Sequence, residues 1–301
     1  MVEKPPLIPR SRTNPIGQTQ RIKRSRRAIN RRLKRVERMI LKEWARLPVT
    51  VQNGRLLTNQ FYEYLITIDV LQALVRRITQ ALDDIGQDEL ADQVRQAYRE
   101  GTAKGVENLS RISEDYTRTI TQALSSRPVA RRAALAAARV FEEMNGFSAD
   151  TAADLSRILF RAVEDGVNPI VVARDIRDRF GITRRRAERI ARTELTMALR
   201  RGRWDEAADA EDKFGIEVRL LHYSALIPGR TRQTHAQRHG RIVTVQEQRE
   251  WYAQNGNGIN CLCTATEITV DENGEPITGV KLIERLVERR EQFIQAGAGE
   301  T

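Results

Sequence analysis

Cysteine is nearly absent: the 301 residues hold only Cys261 and Cys263. Two thiols one residue apart cannot staple a secreted fold, so a reducing cytoplasm is the expected place of synthesis. Aromatic residues make up 5% of the chain and histidine occurs three times, as His222, His235 and His239. No stretch reaches the roughly 18–20 consecutive apolar residues that a membrane-spanning helix needs, so no membrane partner is expected. The opening MVEKPPLIPRSRTNPIG has no apolar core of the kind a secretory signal carries. A G-x-x-x-x-G-K-[ST] loop, a G-x-G-x-x-G turn after a strand and a G-x-S-x-G setting for Ser224 are all missing, so a nucleotide motor, a dinucleotide enzyme and an elbow-type hydrolase find no support.

Charge is abundant, and it is unevenly placed. The formal net charge is +11, and residues 1–40 contain thirteen Lys or Arg against Glu3 and Glu37. The other 261 residues therefore balance, and the basic character belongs to one end of the chain. Four prolines (Pro5, Pro6, Pro9 and Pro15) leave no apolar period in residues 1–20, which read as a disordered or extended arm. Ile29, Leu33, Val36, Ile40 and Trp44 then recur at helical spacing, with arginines on the remaining faces, until Leu47-Pro48 stops the helix. Arg21, Lys23, Arg24, Arg26, Arg27, Arg31, Arg32, Lys34 and Arg35 are the candidate nucleic-acid contacts. The competing reading is an ordinary solvated face of a packed helix.

Length and composition suggest about two domains, with enough apolar residues for a sizeable core. The pattern predicts a mainly α fold: a basic arm and helix over 1–48, a helical bundle over 49–212 and a small α+β domain over 213–301. Within the bundle, apolar residues from Leu90 to Ile120 form one stripe that passes through Gly101 and Gly105. Glycine costs about 1 kcal/mol in a helix, so these two signal a close helix approach or a kink. Ser148 and Thr183 are expected helix N-caps, and Asn168-Pro169 a helix start. Arg184, Arg185, Arg186, Arg189 and Arg192 read as exposed ion pairs with Glu188 and Glu194. Beyond residue 215 the period shortens: a strand leads into His222-Tyr223, a second leaves Cys263, and DENGEP reads as a hairpin turn back into Ile277–Val280.

His235, His239, Cys261 and Cys263 offer two imidazoles and two thiols, a set suited to tetrahedral zinc, with His222 as a replacement ligand. The set needs a turn or bulge over Asn260–Cys263, because a regular strand would send the two thiols to opposite faces. The alternative is two small half-buried cysteines beside a surface histidine, His239. A metal-dependent nucleic-acid enzyme built on the same cluster is a second functional reading, although carboxylates are scarce between 222 and 263. Cys261 with His235 could form a thiol–imidazole pair, but no third member or oxyanion hole accompanies it.

Three motifs in order add a resemblance. Ile190-Ala191-Arg192-Thr193-Glu194 is followed by Arg230-Thr231-Arg232-Gln233-Thr234-His235 with Gly240, and then by Asn260-Cys261-Leu262-Cys263. Over roughly 150–270 this resembles the phage head morphogenesis family, the Mu protein F-like minor head proteins. The motif residues are Arg192, Thr193, Glu194, Arg232, His235, Gly240, Cys261 and Cys263. Relatives commonly carry an aromatic where this chain has His222 and Arg in place of Leu262, and they do not usually carry histidine at the position of His239. The resemblance implies a non-enzymatic minor component of a tailed-phage head, acting in head morphogenesis and in DNA packaging or delivery at the portal vertex. It implies the portal protein and major capsid or scaffold proteins as partners, and the virion as location after assembly in the host cytoplasm. A basic arm suits sequence-independent contact with double-stranded DNA.

Overall fold

Long helices dominate the computed structural model, which describes residues 4–52, 61–83, 87–120 and 127–297. In chain order they are α1 (Thr19–Trp44), α2 (Ile68–Asp83), α3 (Gln87–Ile112), α4 (Glu114–Thr119), α5 (Arg127–Glu164) and α6 (Pro169–Phe214). Two short strands, β1 (Val49–Gln52) and β2 (Phe61–Tyr64), lie between α1 and α2. The last ninety residues alternate: β3 (Val218–Tyr223), α7 (Gln233–Ala236), β4 (Ile242–Val243), α8 (Val245–Ala253), β5 (Thr264–Thr269) and α9 (Val280–Gln295). The fold is mainly α with a small α+β C-terminal region, as the residue pattern predicts. Among the described residues, no helix is long and apolar enough to cross a membrane.

The chain forms two compact units, each assembled from separated stretches. One comprises Met1–Ile22, Asp92–Ala138 and Arg192–Thr301; the other comprises Lys23–Ala91 and Arg139–Ala191.

In the second unit the apolar stripe of α1 is the buried one. Ile29, Leu33 and Ile40 are at most 2% exposed, and the Trp44 ring lies tilted against that of Tyr64 of β2 with centroids 5.0 Å apart. β1 and β2 pair antiparallel, from Val49 opposite Tyr64 to Gln52 opposite Phe61. The helical reading of this region therefore missed a hairpin, whose strands are only four residues long. Two expected caps are also corrected. Ser148 lies inside α5 and donates to the Leu82 carbonyl at 3.0 Å. Thr183 lies inside α6, bonding back to the Arg179 carbonyl at 2.9 Å, so the helix runs through Gly181 unbroken. Short polar side chains can satisfy themselves on a carbonyl four residues back, and then they do not interrupt a helix. The arginine cluster does form ion pairs, but with partners distant in sequence: Arg184 meets Glu37 at 2.7 Å and Arg186 meets Asp150 at 2.8 Å.

In the first unit α3 and α6 approach backbone to backbone. A Cβ on Gly101 would stand 2.0 Å from the Leu199 carbonyl oxygen, and one on Gly202 would stand 2.2 Å from that of Tyr98. Close approach, not a kink, explains the glycine. The stripe from Leu90 does not run on as one helix: α3 stops at Ile112, and Ser113 caps α4 by accepting the Tyr116 N–H at 3.3 Å.

The sheet of this unit is antiparallel in the order β4-β3-β5, with Val218 opposite Thr269 and Tyr223 opposite Thr264. Strand alternation divides the core. Leu220 packs with Trp204, Ala207, Tyr252, Cys261 and Cys263 on one face, while Leu221 and Tyr223 pack with Ile268, Leu282 and Leu286 of α9 on the other. The expected return strand at 277–280 shrinks to a single bridge, Val270 to Pro276, because α9 already begins at Val280. The proline-rich segment is extended and pinned to this unit. Leu7 donates to Asn108 Oδ1 at 2.6 Å, its carbonyl accepts from Thr266 at 2.7 Å, and the Ile16 N–H reaches the Leu262 carbonyl at 3.2 Å.

Candidate metal centre

The turn that the C-x-C spacing demands is present. Asn260 takes a left-handed φ of 56°, and Cys261 and Cys263 precede the first residue of β5. Both sulfurs therefore face one point. Cys261 Sγ and Cys263 Sγ each lie 3.5 Å from His235 Nδ1, and the three ligand atoms fall within 4.8 Å of one another. Zinc–sulfur bonds of about 2.3 Å and a zinc–nitrogen bond of about 2.0 Å at tetrahedral angles would set N to S near 3.5 Å. The cluster thus has the donor set and spacing of three vertices of a zinc tetrahedron. Two backbone N–H groups support the sulfurs: Cys263 N donates to Cys261 Sγ at 3.3 Å and Ala225 N to Cys263 Sγ at 3.4 Å.

His239 is not part of this set, which corrects the four-ligand expectation. Helix α7 ends at Ala236, so the i, i+4 geometry that would align His235 with His239 never forms. The His239 Nδ1 instead accepts the Ser224 N–H at 3.0 Å. His222 is fully buried on β3, its Nδ1 2.9 Å from Gln248 Nε2, and it also stands outside the three-ligand cluster.

Arg200, which the sequence reading overlooked, completes the surroundings. Its guanidinium is buried, donates to the Cys263 carbonyl at 2.9 Å and the Cys261 carbonyl at 2.8 Å, and lies 4.6 Å from the centre of the Tyr252 ring. Burial opposes ionisation of Cys261, but the hydrogen bond from Cys263, the Arg200 charge and His235 outweigh it and hold the thiol well below its ordinary range. Cys263 moves the opposite way, raised by its bond to Cys261 and by burial. The two thiols are thus pushed in opposite directions, and binding a dication would require both sulfurs as thiolates. The signal for Arg200 was spacing: Thr196, Arg200 and Arg203 share one face of α6, and both arginines reach the 261–267 segment, Arg203 through Glu267 at 2.9 Å.

Three further motif residues hold the loop that leads into Cys261. Arg192 donates to Asn260 Oδ1 at 2.8 Å, and Thr193 Oγ1 accepts the Asn260 N–H at 3.0 Å. Arg232 reaches the Gly256, Asn257 and Ile259 carbonyls at 3.0, 3.1 and 3.3 Å. Glu194 is buried on the same turn of α6. Gly240 has φ of 78°, and a Cβ there would stand 3.0 Å from Leu286 of α9, so both conformation and space require glycine.

The nine candidate nucleic-acid contacts divide in two. Arg21 is held by Glu100 at 2.8 Å, Arg26 lies 3.7 Å from Glu188 and Arg32 lies 3.4 Å from Glu89. Lys23, Arg24, Arg27, Arg31, Lys34 and Arg35 are exposed, and among the described residues none has a carboxylate within ion-pair reach.

No curated protein and no solved structure matches the chain. Residues 153–266 match the family described as phage Mu protein F like protein. That span opens in α5, takes in α6 and the metal-type cluster, and closes on Thr266 beside Glu267. Over residues 153–266, rather more than a third of its length, this chain is similar to the phage Mu protein F like family, a likeness that suggests phage head morphogenesis.

Proposed function

We propose that this chain is a minor head protein of a tailed phage that meets packaged DNA through the outer face of α1. The observation that carries the reading is the arrangement of that helix. At 100° per residue, Lys23, Arg24, Arg27, Arg31, Lys34, Arg35 and Arg38 fall within an arc of about 120°, opposite the buried stripe. Such a face neutralises phosphates without reading bases, so its binding is sequence-blind and falls steeply with salt. The family match supports a place in the head, and portal and major capsid or scaffold proteins are the partners that fit it.

An enzymatic reading on the His/Cys cluster is the weaker one. His235, Cys261 and Cys263 are 3%, 4% and 3% exposed, so a nucleic-acid substrate does not reach them. Carboxylates for acid–base work are missing from the three-ligand set. A role in holding the C-terminal fold suits this geometry.

The test is DNA binding by the full chain across a salt series. Deleting residues 1–40 would strip Ile29, Leu33, Val36 and Ile40 from a core, so surface substitutions are cleaner. Replacing Arg27, Arg31, Lys34 and Arg38 by Gln should lower the slope of log K against log salt by roughly 3 to 4, at about 0.9 per lost phosphate contact. An unchanged slope would sink the α1 face as the DNA contact.

A further inference from the structure

The face of the C-terminal sheet turned away from the His/Cys cluster carries a cavity that neither the metal-type site nor the α1 face uses. It has a volume of about 510 Å³, and four guanidinium groups line it: Arg10 and Arg12 of the extended segment, Arg285 and Arg289 of α9. No carboxylate shares that lining. Among the described residues, none of the four arginines has an acidic partner within ion-pair reach.

Two further donors stand at the same wall. Tyr223 and His239 are 7% and 4% exposed, with rings in edge contact at 5.8 Å, and both line the cavity. Tyr223 Oη and His239 Nε2 are buried and have no hydrogen-bond partner among the described residues. Because His239 Nδ1 accepts the Ser224 N–H, the proton of its neutral ring sits on Nε2, which makes that atom a donor. Burial and the Arg289 and Arg290 charges keep the imidazole neutral, its pKa lowered to about 4. Burial likewise keeps the proton on Tyr223, whose pKa is pushed up to about 12. A buried donor without a partner is costly, so two side by side in one pocket call for an acceptor.

We infer that this cavity binds the phosphate of a nucleotide, free or at the end of a DNA strand. Forked guanidinium groups match phosphate oxygens bidentately, and the two orphaned donors add neutral hydrogen bonds to the same anion. The volume exceeds what a lone oxyanion fills and falls in the range of small-molecule sites. Beside the polar Ser11, Ser224 and Gln292, the lining holds Leu226, Leu282 and Phe293, which give a base and sugar an apolar surface to rest on. This site is independent of the α1 face: it lies in the other compact unit and shares no residue with it.

Isothermal titration of the full-length protein tests it with thymidine monophosphate, thymidine, inorganic phosphate, and one oligonucleotide with and without a 5′-phosphate. The monophosphate should bind and the nucleoside should not. A preference of the 5′-phosphorylated strand over its unphosphorylated twin identifies a strand end as ligand, whereas monophosphate binding without that preference identifies a free nucleotide. Arg289→Ser and Tyr223→Phe should each weaken binding at least tenfold. Arg289→Ser leaves the buried face of α9 untouched, and Tyr223→Phe removes only the orphaned hydroxyl, so both variants keep the fold. The inference is overturned by absence of monophosphate binding, by both variants binding as tightly as the wild-type protein, by inorganic phosphate binding as tightly as the nucleotide, or by an Asp-rich peptide outcompeting it. The α1 substitutions described above should leave this affinity unchanged, which separates the failure of one idea from the failure of the other.

Discussion

Arg200 places its guanidinium Nη2 2.8 Å from the carbonyl oxygen of Cys261, inside a core where the whole side chain is buried. A second nitrogen of the same group holds the Cys263 carbonyl at 2.9 Å. One side chain of α6 therefore fixes both ends of the C-x-C turn, and the sulfurs face each other because their backbones are tied. Burial works against the charge, but the Tyr252 phenol and the two thiols more than offset it, and the arginine pKa stays above its ordinary value.

Replacing Arg200 by Leu should be severe. Two buried carbonyls lose their donors, each at about 1–3 kcal/mol, so roughly 3 kcal/mol of stability should go. Arg200→Lys should not rescue it, because a single ammonium cannot reproduce the planar fork. Urea denaturation of the three proteins checks this; a loss under 1 kcal/mol for the Leu variant would refute the tie.

Metal content tests the cluster directly. The purified protein should carry one zinc per chain, and cobalt in its place should give the visible bands of a tetrahedral ion with a thiolate charge-transfer band in the near ultraviolet. Cys261→Ser and Cys263→Ser should lose the metal, while His239→Asn should keep it, since His239 Nδ1 is occupied by Ser224. Wild-type protein with reduced thiols and no cobalt spectrum would rule the centre out.

Acid should weaken the C-terminal unit. His239 is held near pKa 4 by burial and by Arg289 and Arg290, against about 6.5 when unfolded. A depressed histidine favours the folded state fully above the unfolded value, and that contribution is lost as pH falls from about 6.5 towards 4. By pH 5 the loss is roughly 2 kcal/mol from this residue. His222, lowered by burial to about 3, acts with the same sign. The urea midpoint measured from pH 7.5 to 5 should therefore drop, and His239→Leu should flatten the curve without abolishing it. An identical pH dependence in the variant would count against the assignment.

Two glycines in helices should answer oppositely to alanine. At Gly202 a Cβ would meet the Tyr98 carbonyl oxygen at 2.2 Å and the Thr102 nitrogen at 2.8 Å. Gly202→Ala should cost about 2–3 kcal/mol as α3 is pushed off α6. Nothing lies within 4 Å of a Cβ at Gly146, inside α5, so Gly146→Ala should add about 0.5–1 kcal/mol through helix propensity. Thermal melts of both variants decide the point, and similar shifts in the same direction would contradict the packing described.

Local chemistry made part of this protein legible without coordinates. The apolar period of α1, its stop before Pro48, the helical middle and the change to strands near residue 216 all depend on neighbours three, four or two positions apart. The three motifs were visible as motifs, and His235, His239, Cys261 and Cys263 as candidate ligands, because imidazole and thiol chemistry is written in residue type. What long-range packing decided could not be read this way. A 46-residue α6 that ignores Gly181 and Thr183, a hairpin of four-residue strands, and units built from separated stretches depend on which surfaces meet. So does the function of Arg192, Thr193 and Arg232, whose partners lie 24 to 68 residues away on one loop. His239 shows the division most plainly. Four residues of spacing put it beside His235, but α7 ends after Ala236, and the backbone N–H of Ser224, just past the end of β3, takes its nitrogen. Sequence supplied the donors; the ends of the elements and the packing of the sheet decided which of them converge.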